Sequence, residues 1–223
     1  MATSLRGKKV AFLATDGVEQ SELTGPWKAL EAAGAEPELL SIKSGSIQMM
    51  QHDDKGDTFP VDKLVGDASS AEYAALVLPG GVANPDRLRQ DKKAVQFARE
   101  FAAADKLVAA ICHGPWLLVE ADVVRGRTLT SWPSLQTDIR NAGGKWVDSE
   151  VQKDERLVTS RKPSDIPAFS KAIIEALGNG GRDEATLDRM VEQSFPASDP
   201  LPGPSSIGGE GASKTSGAGE SRA

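Results

Sequence analysis

Three short apolar runs limit what this chain can fold into. Lys8-Lys-Val-Ala-Phe-Leu13, Tyr73-Ala-Ala-Leu-Val-Leu78 and Leu107-Val-Ala-Ala-Ile111 show no polar alternation along their length. A strand wetted on one side alternates apolar with polar, whereas an unbroken run is the pattern of a strand covered on both faces. Helical spacing fills the intervals. Leu23, Trp27 and Leu30 fall at i, i+4 and i+7 of a segment that stops by Gly34, and Val95, Ala98 and Phe101 mark a second. Glu36 to Ile42 reads as a strand, so the first ninety residues already hold a β-α-β unit with parallel pairing. The expected fold is α/β, a doubly wound and mostly parallel sheet with helices on both faces.

The rest of the chain follows this pattern with less regularity. Residues 43–70 read as irregular, with Met49 to His52 as a candidate hairpin strand. Arg127 to Ser131 reads as a strand and Ser134 to Asn141 as a helix. Trp146 to Val151 and Arg156 to Ser160 read as an antiparallel hairpin. A last helix, capped by Ser164-Asp165, carries Ile166, Phe169, Ile173 and Leu177 on one face. Beyond Leu177 the composition shifts, and from Pro200 to Ala223 14 of 24 residues are Gly, Ser or Pro. Such a segment buries too little surface to order itself. Two parts are therefore expected: a folded domain over 1–177, and a flexible tail over 178–223 with one short helix at 183–193.

Composition narrows the partners. The net charge is −6 with no basic stripe, which argues against nucleic acid. No apolar run approaches membrane-spanning length, so no membrane partner is expected. One cysteine forbids an intramolecular disulfide and fits a reducing, cytoplasmic setting. The loop after the first strand carries Asp16, Glu19 and Glu22 in place of a glycine-rich phosphate cradle, so no nucleotide or flavin cofactor is expected. One cysteine and two distant histidines make a poor metal site.

The cysteine is the centre of the functional reading. Cys112 stands where the strand Leu107–Ile111 reverses into a helix beginning near Pro115, the geometry of a nucleophile elbow. N–H groups at a helix start favour a thiolate and a nearby oxyanion. In a doubly wound sheet, ligands bind beyond the carboxyl ends of the strands. Asp16 and Glu19 follow the first strand, Gly80-Gly81 the third strand (Tyr73 to Leu78) and Cys112-His113 the fourth, so all converge on one rim. Cys112 is the candidate nucleophile and Glu19 the carboxylate that shares a proton with its sulfur. His113 is a candidate base if the elbow turns it inward, and would then need an orienting carboxylate. Backbone N–H groups near Gly81 and His113 are candidates for an oxyanion site.

In combination, Ala14-Thr-Asp-Gly-Val-Glu19, Ala75-Leu-Val-Leu-Pro-Gly-Gly81, Ala110-Ile-Cys-His-Gly-Pro115, Val124-Arg-Gly-Arg127 and Asn141-Ala-Gly-Gly resemble the ThiJ/PfpI family of the class I glutamine amidotransferase-like superfamily, nearest its PfpI-type stress-protein branch. The resemblance spans roughly residues 7–177 and implies a flavodoxin-like sandwich with Glu19 hydrogen-bonded to the Cys112 sulfur. It implies a homodimer or higher homo-oligomer, in which the acid at Asp86 reaches His113 from a neighbouring subunit. Asp replaces a longer Glu there. Trp116 stands where a smaller or amide residue is common and is expected to reshape a pocket formed with Gly80, Gly81 and Gly114. No histidine follows His113, which argues against glutaminase chemistry. The function expected is a cysteine-dependent enzyme acting on reactive dicarbonyls, methylglyoxal or glyoxal, or on their early protein adducts, in the manner of a deglycase or glutathione-independent glyoxalase. The alternatives are an intracellular cysteine peptidase and a non-enzymatic redox-sensing or chaperone-like protein.

Overall fold

Parallel strands with covered faces set the architecture. The computed structural model describes residues 4–178. In chain order the elements are β1 (Lys9–Leu13), β2 (Val18–Glu19), α1 (Gln20–Ala32), β3 (Glu36–Ser41), β4 (Ser46–Gln51), β5 (Asp54–Pro60), β6 (Lys63–Leu64), β7 (Ala75–Leu78), α2 (Ala83–Leu88) and α3 (Lys92–Ala103). They continue with β8 (Leu107–Ile111), α4 (Pro115–Glu120), β9 (Thr128–Leu129), α5 (Gln136–Asn141), β10 (Lys145–Trp146), β11 (Val151–Asp154), β12 (Leu157–Ser160) and α6 (Ile166–Gly178). A seven-stranded sheet runs β11-β12-β8-β7-β1-β3-β6 and is parallel except at the β11 edge. The expected doubly wound sheet is present. The short helix expected at 183–193 and the rest of the tail lie outside the described residues.

Alternation along each central strand sends side chains to two cores. Ala11, Leu13, Leu76, Leu78, Val108 and Ala110 point to the layer that holds α3 and α4, where Phe97 and Phe101 pack. Val10, Phe12, Val77, Ala109 and Ile111 point the other way, against Leu23 and Leu30 of α1 and Phe169 and Ile173 of α6. Each strand is buried on both faces, so the apolar runs were the right sign of a central parallel strand.

Departures lie away from that centre. Residues 43–70 hold a hairpin, β4–β5, joined by β2 into a three-stranded sheet. β5 is polar and largely exposed, and β4 buries only Ile47 and Met49, so periodicity gives little sign of either strand. Trp146 does not belong to the hairpin of β11 and β12; it pairs with β9 in a small parallel ribbon, and β11 starts at Val151. Two helices, α2 and α3, stand where one was expected around Val95, Ala98 and Phe101, with Asp91 capping the second through its carboxylate.

Candidate active site

β8 ends at Ile111, and the chain reverses within three residues. Cys112 takes φ 59°, a left-handed conformation that costs a residue with a Cβ about 1 kcal/mol. The turn is fastened on all sides: the Cys112 N–H donates to Ser160 O at 3.1 Å, its carbonyl accepts from Trp132 N at 2.9 Å, and Gly114 N donates to Ile111 O at 2.9 Å. Backbone held this firmly presents the thiol to the rim of the sheet. The helix that follows, α4, has only six residues, so local N–H groups rather than a long helix dipole act on the sulfur. Those of Gly81 and His113 face it.

Two glycines make the approach possible. Gly81 has φ +76°, and a Cβ there would overlap Gly17 O and stand 2.8 Å from Glu19 N. A Cβ on Gly80 would lie 2.6 Å from Glu22 Oε2 and 2.7 Å from Cys112 Cβ. Asn84, fully buried, ties this loop to the one after β1: its Oδ1 accepts from Thr15 N at 2.7 Å while its Nδ2 donates to Pro79 O and Gly80 O.

The carboxyl beside the sulfur belongs to Glu22, not to Glu19. Glu22 is 0 % exposed, and its Oε2 accepts from Gly80 N at 2.9 Å, while Oε1 has no hydrogen-bond partner. Burial pushes its pKa up to about 8, against the opposing influence of the Cys112 thiol and the Gly80 N–H; the charge of nearby Glu19 pushes it up further. Burial, then the Glu22 charge, raises the Cys112 thiol well above its ordinary value. These influences are alternatives for one shared proton. Ionised Glu22 opposes a thiolate, whereas protonated Glu22 can donate to one. Glu19 instead stands at the N-cap position of α1 without bonding to the helix N–H groups; its carboxylate accepts from Ser21 Oγ at 3.1 Å and from His52 N at 3.0 Å. The sequence carried a sign of the difference: Glu22, Pro26 and Leu30 share the buried face of α1, and a carboxyl on that stripe points inward.

His113 is turned toward the cysteine. Its Nδ1 lies 3.3 Å from Cys112 Sγ and its Nε2 lies 3.2 Å from Ser134 Oγ. The ring is buried, which lowers its pKa, and it sits between Trp132, stacked at 6.0 Å, and the edge of Trp116 at 5.2 Å. The orienting group within the chain is thus a hydroxyl where a carboxylate was expected. Asp86 does not fill that place in its own chain; its carboxylate accepts from Gln90 Nε2 within the same helical segment.

A cleft of about 410 Å³ opens over the sulfur, lined by residues that include Glu19, Glu22, Gly81, Cys112, His113 and Trp132. Trp116 does not line it. The indole N–H donates to Asp138 at 2.7 Å and its ring packs behind His113, beneath the Arg89 guanidinium. Trp132, at 39 % exposed, is the tryptophan of the cleft, with Val82 opposite the same opening and His52 and Asp53 from the β4–β5 turn on its wall. Gly114 serves packing, because a Cβ there would overlap Leu78 O, and Gly80 spends its N–H on Glu22. Among the described residues, no three His, Cys, Asp or Glu side chains group as a metal site, and no helix is long and apolar enough to cross a membrane.

Known proteins share this arrangement of strands. The chain is 42% identical over 172 residues to protein/nucleic acid deglycase 2 of Escherichia coli, covering 77% of this chain and 98% of the relative. It is 41% identical over 172 residues to general stress protein 18 of Bacillus subtilis, covering 77% and 98%. The crystal structure of Drosophila melanogaster DJ-1beta superposes with a TM-score of 0.71 at 25% identity, covering 85% of this chain and 98% of that one. The profile of the DJ-1/PfpI family matches residues 8–176, and the chain belongs to that family.

Proposed function

We propose that the chain is a cysteine-dependent enzyme that converts methylglyoxal or glyoxal, or the early adducts these form with proteins, to hydroxy acids. The observation that carries the reading is the buried Glu22 carboxyl set against the Cys112 thiol at a left-handed elbow, under an open cleft. A carboxyl with a pKa of about 8 exchanges protons readily near neutral pH, which is what this chemistry needs. The names of the deglycase and stress-protein relatives support the same direction.

The steps balance without a redox partner. The thiol gives its proton to Glu22, and sulfur adds to the aldehyde carbon; the oxygen that becomes negative lies toward the Gly81 and His113 N–H groups and takes that proton back from Glu22 to give a hemithioacetal. When the aldehyde arrives as a hemiaminal adduct, the carbon–sulfur bond forms as the carbon–nitrogen bond breaks, the departing amine takes the proton from Glu22, and the same hemithioacetal results. Glu22, as carboxylate, then removes the hydrogen from the carbon bearing sulfur, the neighbouring carbonyl oxygen is protonated, and an enediol forms. Protonation at the second carbon yields a hydroxy-acid thioester. Water hydrolyses it, releasing lactate from methylglyoxal and returning the thiol.

The test is glutathione-free consumption of methylglyoxal by wild type and Cys112→Ala, with product followed by NMR. Any accessible thiol traps one equivalent, so only multiple turnovers count. Many turnovers to lactate, lost in Cys112→Ala while its melting curve stays cooperative, support the reading. Trapping of a single equivalent, or turnover retained in the variant, overturns it.

A further inference from the structure

The hydroxyl at Nε2 of His113 carries an inference about the ring beside the nucleophile. Nδ1 faces Cys112 Sγ at 3.3 Å, and Nε2 faces Ser134 Oγ at 3.2 Å. The remaining surface of the ring is taken by Trp132 and Trp116, so its plane is fixed by packing and its protonation by these two contacts. Which nitrogen of a neutral imidazole bears hydrogen is set by the partner of the other. A carboxylate at Nε2 accepts only, which would force hydrogen onto Nε2 and, if the ring also met the sulfur as a donor, a full imidazolium. A hydroxyl both donates and accepts. By donating to Nε2 it leaves that nitrogen bare, so the ring hydrogen sits on Nδ1, where the sulfur can accept it.

We propose that Ser134 is a positioning residue that donates its hydroxyl hydrogen to Nε2 and so holds His113 as the neutral Nδ1–H tautomer, with that N–H aimed at Cys112 Sγ. The buried carboxyl of Glu22 handles the proton, and His113 offsets the thiolate charge as a neutral donor without becoming an imidazolium. Ser134 reaches the ring from the turn that follows Trp132, whose N–H is itself fastened to the Cys112 carbonyl, so the elbow and its orienting hydroxyl are one unit of backbone. This arrangement is complete within one chain. The kinetic consequences below rest on the dicarbonyl reading; the tautomer does not.

The chain has two histidines, so long-range ¹H–¹⁵N spectra of the full-length, ¹⁵N-histidine-labelled protein resolve both rings, with His52→Asn supplying the assignment. Wild type is expected to show His113 with hydrogen on Nδ1 and a bare, hydrogen-bonded Nε2. Ser134→Ala is expected to move the ring to a mixture or to the Nε2–H form and to lower kcat about tenfold with KM within twofold, on the scale of a hydrogen bond of about 1.4 kcal/mol. Ser134→Thr keeps the hydroxyl and is expected to restore both tautomer and kcat. An Nε2–H ring in wild type overturns the proposal, as does a tautomer unchanged by Ser134→Ala. It is equally overturned if Asp86→Asn shifts the ring and Ser134→Ala does not, since the orienting group would then come from a second copy. If wild type shows no turnover, the spectra alone decide.

Discussion

Replacing Glu22 by Gln separates the stability of this protein from its chemistry. Gln has the same shape and its Oε1 can accept the Gly80 N–H that Glu22 Oε2 now holds at 2.9 Å. It cannot ionise. Glu22 has its pKa raised from 4.5 to about 8, chiefly by burial. The unfolded chain loses this proton near 4.5 and the folded chain keeps it to about 8, so the folded state binds more protons across that window. Stability of the wild type therefore falls as pH rises from about 4.5 to about 8 and levels off above it. A shift of that size is worth roughly 5 kcal/mol when fully expressed, because each unit is about 1.4 kcal/mol. Between pH 5 and pH 8.5 the wild type is expected to lose about 3–4 kcal/mol relative to Glu22→Gln. For a chain of this length that corresponds to a relative shift in Tm of roughly 10 °C. The amide also places donors where Oε1 has no partner, a cost of about 1–3 kcal/mol, but that cost does not vary with pH. The assay is urea unfolding of both proteins at pH 5, 7 and 8.5, read as the difference between them. Turnover of Glu22→Gln is expected to drop by about 10²- to 10⁴-fold at every pH, the usual loss on removing a general acid–base group. A stability difference that stays constant with pH would refute the reasoning, because the carboxyl would then ionise as freely as it does in water.

Glu19→Gln tests the choice between the two carboxylates. It keeps one oxygen to accept the His52 N–H, while its amide N–H can donate to the Ser21 hydroxyl, and it is expected to retain turnover within about threefold, with the ionisation of Glu22 moved toward acid because one neighbouring charge is gone; a collapse of turnover matching that of Glu22→Gln would return the role to Glu19. Gly81→Ala adds a Cβ at φ +76° against Gly17 O and the Glu19 N–H, and is expected to cost roughly 2–5 kcal/mol in a denaturant melt and to lower turnover with it, because the Gly81 N–H faces the sulfur. A melt within 1 kcal/mol of wild type would mean that the loop relaxes and the close approach is not required.

What could be read from the sequence divides along a physical line. Central strands were legible because burial on both faces leaves unbroken apolar runs, and Cys112 was legible because such a run stops at it. A parallel sheet gathers its strand ends on one rim, so the loops that meet there could be named in advance. Which atom of a loop arrives at the sulfur could not, because that is decided by the phase of a helix start. Glu19 and Glu22 are three residues apart, yet Glu19 is the last residue before α1 and turns to the His52 N–H, while Glu22 is inside its first turn, on the stripe with Pro26 and Leu30. A shift of one residue in where α1 begins would turn Glu22 about 100° off that stripe. The two tryptophans differ in the same way. Trp116 follows the cysteine closely but is carried behind His113 by α4, whereas Trp132, distant in sequence, is drawn to the cleft by the bond from its N–H to the Cys112 carbonyl. Ser134 comes with Trp132 and was hidden for the same reason. The site is therefore built from a cysteine and an adjacent histidine that local pattern reveals, and from partners such as Glu22, Trp132 and Ser134 that only tertiary registration selects.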